Sequence, residues 1–218
     1  MIKPSILRIS ESSISLSWKP KISLDIHAMV IALDKSISSS PFQGWIENVP
    51  AYHTLTVYFD PLLFWKFQNW EEKFSDYIDE ILLTSILIIK REQKIIEIPV
   101  KYHPSVAPDL LLASEILQID IPTIIQLHTS CIYNVFLIGF MPGFPYLGIL
   151  PEKLELPRKS TPALHVPAGT VAIAGKQTGI YPHNSPGGWY GIGHTDIKMF
   201  CNGKSLLQAG DRVKFVSI

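Results

Sequence analysis

Of the 13 glycines in this 218-residue chain, only Gly44 lies before Gly139. That asymmetry excludes one uniform architecture along the whole length. The first hundred residues are rich in Ile, Leu, Lys and Glu, which sustain long regular elements. The later part is interrupted every few residues by Gly or Pro, which end elements and make turns. A composition shift of this kind marks a domain boundary. Pro99, Pro104 and Pro108 cluster at the change. The expected division lies near Tyr102, giving domains 1–101 and 102–218. There is no internal repeat and no low-complexity tract.

Periodicity assigns elements within each half. Ser13 to Trp18 alternates polar and apolar residues, as a strand does. Leu24 to Lys35 carries Leu24, Ala28, Ile31 and Ala32 at helical spacing. Trp45–Val49 and Thr54–Phe59 read as strands, the second ended by Asp60-Pro61 because proline cannot continue a ladder. Glu71 to Leu87 reads as an amphipathic helix with Phe74, Ile78, Ile81 and Leu82 on one face. Ile95–Val100 is expected to close the first domain as its last strand, in the order β-β-α-β-β-α-β of a split βαβ layer. Two short helices follow, from Pro108 to about Leu117 and from Asp120 to Thr129. Ile132–Ile138, Thr170–Ala174, Gly188–Ile192, Ile197–Cys201 and Arg212–Val216 then read as short strands of a closed barrel.

Charge removes one class of function. The 19 basic and 19 acidic side chains leave no excess to hold a phosphate backbone, so no nucleic-acid partner is expected. The start of the chain has no apolar signal core, and the stretch Ile81–Ile89 is far short of the ~20 residues that cross a bilayer. Cys131 and Cys201 are far apart and form no CxxC pair, so both are expected to be reduced thiols. These features point to a cytoplasmic protein with no membrane partner.

The informative residues lie between Gly139 and Thr195. The segment Gly139-Phe140-Met141-Pro142-Gly143-Phe144-Pro145-Tyr146-Leu147-Gly148 fixes an unusual backbone path and hangs aromatic rings from it. It either frames a ligand or plugs a barrel end. Gly175-Lys176-Gln177-Thr178 fails as a phosphate loop, because Gln177 stands where Ser or Thr must follow the lysine. Lys176 is the sole Lys or Arg between Ser160 and Thr195, either functional or merely solvated. Ser185-Pro186-Gly187-Gly188-Trp189 can expose N–H groups as an anion-binding nest, with Gly187 expected to need a positive φ. Trp189 either stacks on a ligand or fills core, the commoner role. Ser185 has no GxSxG frame and is no nucleophile elbow. From Ile121 to Thr195 the only carboxylates are Glu152 and Glu155, so His165, His183 and His194 lack the acidic support that hydrolases and metal sites use. Binding is expected rather than independent catalysis, with no metal and no assigned catalytic residue. The candidate ligand-binding residues are Phe140, Pro142, Phe144, Tyr146, Lys176, Gln177, Tyr181, His183, Gly187, Gly188 and His194.

The strings Gly139–Gly148, Val166–Gly175, Gln177–Pro182 and Ser185–Trp189 together resemble the family of 5-oxoprolinase B-type subunits. Its members are also known as allophanate hydrolase subunit 1 and as the Kip inhibitor of a sporulation histidine kinase. Val49-Pro50-Ala51-Tyr52, Phe59-Asp60-Pro61 and Pro108-Asp109-Leu110 extend the likeness over nearly the whole chain. The resemblance implies an α+β protein, a ferredoxin-like α/β sandwich followed by a cyclophilin-like β-barrel. It implies one member of an ATP-dependent complex, inactive alone, that opens 5-oxoproline to L-glutamate. The partners would be the homologous C-type subunit of 5-oxoprolinase, its separate A-type subunit, and a small carboxylate or lactam substrate. ATP would be used by the complex, with no cofactor in this chain. The alternative is a regulatory protein that inhibits a histidine kinase; a prolyl-isomerase-like peptide binder is a third, on fold analogy alone. Members commonly carry arginine where Ala163 and His194 stand and a basic residue near His165, and a Tyr-Gly-Gly segment where this chain has Tyr102-His103-Pro104. Anion recognition is therefore expected to be weakened here, or moved to the histidines.

Overall fold

The computed structural model describes residues 3–64, 69–85 and 95–218. The chain forms two compact units, Met1–Glu92 and Gln93–Ile218.

In the first unit the elements are β1 (Ser5–Ser10), β2 (Ser13–Ser17), α1 (Leu24–Ser39), β3 (Trp45–Pro50), β4 (Thr54–Phe59), α2 (Pro61–Phe64) and α3 (Trp70–Ser85). The four strands form one antiparallel sheet in the order β1-β2-β4-β3. Alternation decides its buried face. Ile14 and Leu16 of β2 and Leu55, Val57 and Phe59 of β4 are all fully buried. They share one core with Val30, Leu33 and Ile37 of α1 and Phe74, Ile78, Ile81 and Leu82 of α3. Leu87, the expected end of α3, lies outside the described residues. Among the described residues no single helix is long and apolar enough to cross a membrane.

The second unit begins with β5 (Ile95–Val100), and here the structure departs from expectation. Rather than closing the first sheet, the strand runs parallel to β15 (Arg212–Ser217), in register from Arg212↔Ile95 to Ser217↔Val100. Ile98 and Val100 are buried in the core of the second unit. In the first sheet, the edge beside β2 is taken by β1. The contact division therefore falls between Glu92 and Gln93 rather than near Tyr102.

The remaining elements are α4 (Leu110–Leu117), α5 (Ile121–Ser130), β6 (Ile132–Ile138), β7 (Pro145–Gly148), β8 (Ala163–Val166), β9 (Thr170–Ala174), β10 (Gln177–Ile180), β11 (Ser185–Gly187), β12 (Tyr190–His194), β13 (Phe200–Cys201) and β14 (Lys204–Ser205). The expected strand Gly188–Ile192 begins only at Tyr190, and Ile197–Cys201 is a strand only over its last two residues. Asp120 caps α5 by accepting the Thr123 N–H at 2.9 Å, and Pro122 sits in its first turn, where no N–H is missed.

Seven strands make one sheet, β12-β9-β10-β7-β6-β15-β5. It curls until its edges meet. Lys101, just past β5, donates its N–H to the His194 carbonyl at 2.8 Å and accepts the His194 N–H at 3.0 Å. Strands β8 and β11 pair separately as a small two-stranded ribbon.

A buried hydrogen-bond chain ties α5 to this sheet. Thr178 of β10 donates its hydroxyl to the Ala172 carbonyl at 3.0 Å. Its oxygen, 2.9 Å from His128 Nε2, therefore accepts the Nε2–H. That leaves Nδ1 to accept the Tyr102 hydroxyl proton at 2.6 Å. His128 is 0% exposed and stacks on Phe215 at 4.5 Å. Burial pushes its pKa down to about 3 and raises that of Tyr102, so both groups are neutral.

Candidate functional site

The loop from Gly139 to Phe144 turns on itself through three short backbone bonds: Gly139 N–H to Phe144 O at 3.1 Å, Met141 N–H to Gly139 O at 2.7 Å and Phe144 N–H to Met141 O at 3.1 Å. Gly143 has φ +86°, and a Cβ there would come within 2.7 Å of Phe200 Cβ. Only glycine meets both conditions.

This turn delivers Phe144 into an aromatic cluster. Its ring lies 5.0 Å from Tyr146, 5.2 Å from Tyr181 and 5.5 Å from Trp189, each edge to face. Phe144, Tyr181 and Trp189 are buried. Gly179 of β10 leaves the space behind Phe144, since a Cβ would sit 2.8 Å from its Cζ.

Phe140 is the exception. It is 62% exposed yet has φ 66°, a region that bulky residues avoid. Such a φ costs on the order of 1–3 kcal/mol. Its ring stands edge-on to Phe144 at 5.6 Å and to Tyr181 at 6.4 Å, over the cluster. Phe140→Gly is therefore expected to leave the urea midpoint of the second unit unchanged or raised. Phe144→Ala should cost about 3–5 kcal/mol, as a fully buried phenylalanine does. Fluorescence of Trp189, the one tryptophan after residue 92, reports both transitions. A large loss of stability in Phe140→Gly would show that its strain is repaid by packing alone.

The cluster walls a cavity of about 210 Å³. Phe140, Phe144, Tyr146, Tyr181 and Trp189 supply its rings, Pro162, Pro186, Gly187 and Gly188 its rim, and Arg158 its only charge. Arg158 makes no ion pair among the described residues. Burial raises the pKa of the Tyr146 and Tyr181 hydroxyls; the Arg158 charge opposes this at Tyr146, and a backbone hydrogen bond from Trp189 and, more weakly, Arg158 oppose it at Tyr181, so both remain neutral donors. The lining contains no carboxylate, thiol or imidazole. The arrangement can bind a small anion with a flat apolar body, and it carries no general base of ordinary pKa.

Two expected segments thus converge on one cavity: Phe140, Phe144 and Tyr146 from the first, Tyr181, Gly187 and Gly188 from the second. The other candidates stand apart. Pro142 is at the loop tip and does not line the cavity. Lys176 lies in the β9–β10 turn, 3.6 Å from Glu155. Gln177 pairs with Gly148 at the far end of β10, about 13 Å along the strand from Tyr181. His183 faces the Phe200 ring at 5.8 Å. His194 belongs to the sheet-closing bridge, with Nε2 3.4 Å from Asp196. The exposed His165 is on β8 and does not line the cavity. The cation in the pocket is an arginine rather than one of the histidines.

Two further expectations are corrected. No residue from Tyr181 to Tyr190 has a positive φ, so Pro186-Gly187-Gly188 forms no nest of alternating handedness. Gly187 is glycine for a different reason. A Cβ there would overlap the Tyr181 hydroxyl, with Tyr181 Cζ at 2.8 Å.

Comparison with known proteins places the chain. Residues 4–206 match the family described as carboxyltransferase domain, subdomain C and D. The protein named as the B subunit of 5-oxoprolinase in Haemophilus influenzae is 40% identical over 97% of this chain and 97% of its own length. That of the same name from Bacillus subtilis is 36% identical over 100% of this chain and 94% of its own length. The crystal structure of TTHA0988 superposes with a TM-score of 0.81 at 31% identity, over 94% of this chain. This chain spans only 39% of that longer one. A family match over most of the sequence, with relatives aligned end to end, establishes that the chain belongs to the carboxyltransferase domain, subdomain C and D, family and to the B-type 5-oxoprolinase proteins within it.

Proposed function

We propose that this chain is the B-type subunit of a cytoplasmic, ATP-dependent 5-oxoprolinase complex and that its aromatic pocket holds the small carboxylate or lactam substrate. The observation that carries this is a single guanidinium, Arg158, at the edge of a cavity walled by five aromatic rings. 5-Oxoproline is a flat five-membered lactam bearing one carboxylate. The guanidinium fork matches the carboxylate, the ring faces take the flat body, and a neutral tyrosine hydroxyl donates to the lactam carbonyl. At about 210 Å³ the cavity falls below the ~300–1,000 Å³ of pockets for drug-sized ligands. It suits a molecule far smaller than a nucleotide.

In this reading ATP is used elsewhere in the complex, whose other members are the homologous C-type protein and the separate A-type protein. This chain needs no cofactor of its own. The first unit is a ferredoxin-like layer in which β1 takes the place of the last strand, and the second is a cyclophilin-like barrel.

The test uses the reconstituted complex. Arg158→Met keeps most of the stem and removes the fork. It should lower kcat/KM for 5-oxoproline about 10- to 100-fold, the range for losing a charge-assisted hydrogen bond of roughly 1.5–3 kcal/mol. The chain alone should bind 5-oxoproline and turn none over. Unchanged kinetics in Arg158→Met, or robust turnover by the isolated chain, would overturn the reading.

A further inference from the structure

Asp109 and Lys159 do not line the pocket. Lys159 Nζ lies 2.6 and 2.7 Å from the two Asp109 carboxylate oxygens, and each side chain is only 14% exposed. The same carboxylate accepts the Gly191 N–H at 2.7 Å, while the Asp109 N–H donates to the Gly191 carbonyl at 3.0 Å. The carboxylate is therefore fixed to β12. Lys159 has a second attachment, its own N–H donating to the Gly188 carbonyl at 2.8 Å. Its ammonium also lies 5.5 Å from the centre of the Tyr190 ring.

The neighbours in sequence give this its consequence. Arg158 precedes Lys159, and Gly188 and Trp189 precede Tyr190. One lysine thus ties together the segment that carries the cation and the Gly188 segment that also lines the cavity. A largely buried ion pair is a poor source of stability, because desolvation offsets most of its attraction. Its use lies in specifying one geometry.

We propose that Asp109 and Lys159 are positioning residues whose ion pair sets where the Arg158 guanidinium and the Gly188 rim stand. The effect on affinity rests on the pocket reading above; the effect on geometry does not. The variants are Lys159→Met, Asp109→Asn and Lys159→Arg in the full chain, with 5-oxoproline as probe. Amide exchange at Lys159 reads the bond to Gly188, and calorimetry reads affinity. Lys159→Met and Asp109→Asn should each speed that exchange and weaken binding about tenfold, the scale on which supporting contacts act. Lys159→Arg keeps the pair and should restore both to within about threefold. The double variant should be no worse than the weaker single, as for residues acting as one unit. A lowered melting temperature with unchanged exchange in Lys159→Met overturns the proposal, whatever the affinity. Faster exchange in a chain that binds no 5-oxoproline sustains the positioning role and removes the ligand reading.

Discussion

Gly187→Ala is expected to cost the second unit about 3 kcal/mol, while Gly188→Ala costs less than about 0.5 kcal/mol. The two glycines are adjacent, so composition and propensity cannot separate them; their surroundings do. At Gly187 the added carbon overlaps the Tyr181 hydroxyl and comes within 2.8 Å of Cζ and 3.0 Å of Cε1. Tyr181 is 2% exposed and has Phe144 5.2 Å away, so it cannot withdraw. At Gly188 the nearest atoms are those of Pro162 at 3.9 and 4.0 Å, an ordinary contact. The Gly188 methyl should therefore leave the fold intact and encroach only on the cavity rim. A double-mutant cycle isolates the cause. Tyr181→Phe removes the oxygen that the new carbon meets, so Gly187→Ala should cost at least ~1 kcal/mol less in that background. Urea unfolding of the four proteins measures it. Additive costs would show that strain elsewhere in β11 makes the position glycine.

Local pattern made many elements legible and left most pairings hidden. Strands β2, β4 and β6 and helices α1, α3 and α5 follow from apolar spacing within the element, and that spacing is a property of a dozen residues. The allegiance of β5 is not local. Ile95–Val100 reads equally well in either unit until Arg212–Ser217 is known to lie beside it. The convergence of Phe140, Phe144 and Tyr146 with Tyr181, Gly187 and Gly188 was legible because aromatics on Gly/Pro loops rarely lack a use. Arg158 was not, although its signal was present. Lys176 is the sole cation only from Ser160 onward, and Arg158 and Lys159 stand immediately before that limit, beside Pro157. Lys176 and His194 are conspicuous in sequence as isolated polar groups among apolar residues. Strand geometry carries both away from the cavity, one to a hairpin turn and one to the bridge that joins the sheet edges. Asp109 is marked in sequence only by its motif. Its meeting with Lys159 depends on a chain separation of 50 residues, which no periodicity reports.

The buried histidine leads to the other large effect, a loss of stability in mild acid. His128 is held neutral in the folded state, with a pKa of about 3, because burial disfavours the charged ring. In the unfolded chain the same ring titrates near 6.5. Above that pH neither state binds the proton, and the group adds no pH dependence. As pH falls through about 6.5 the unfolded chain takes up a proton that the folded chain refuses. Stability then falls by about 1.4 kcal/mol per pH unit, until the folded ring also titrates near pH 3. At pH 4.5 the accumulated loss from this one group, relative to its stability well above pH 6.5, is about 2.7 kcal/mol. The raised Asp34 pKa acts in the opposite sense but belongs to the first unit. Asp120 and Asp196 are held below 3.8, so their contributions begin at lower pH. His128→Gln isolates the term. Glutamine can accept from Tyr102 and donate to Thr178, and it has no proton to gain. Urea unfolding followed at Trp189 should show the steep loss from pH 7 to 4.5 in the parent and a shallow one in His128→Gln. Equal slopes in the two proteins would mean that the ring is protonated in the folded state, and that the Tyr102–His128–Thr178 chain is not the neutral network its geometry describes.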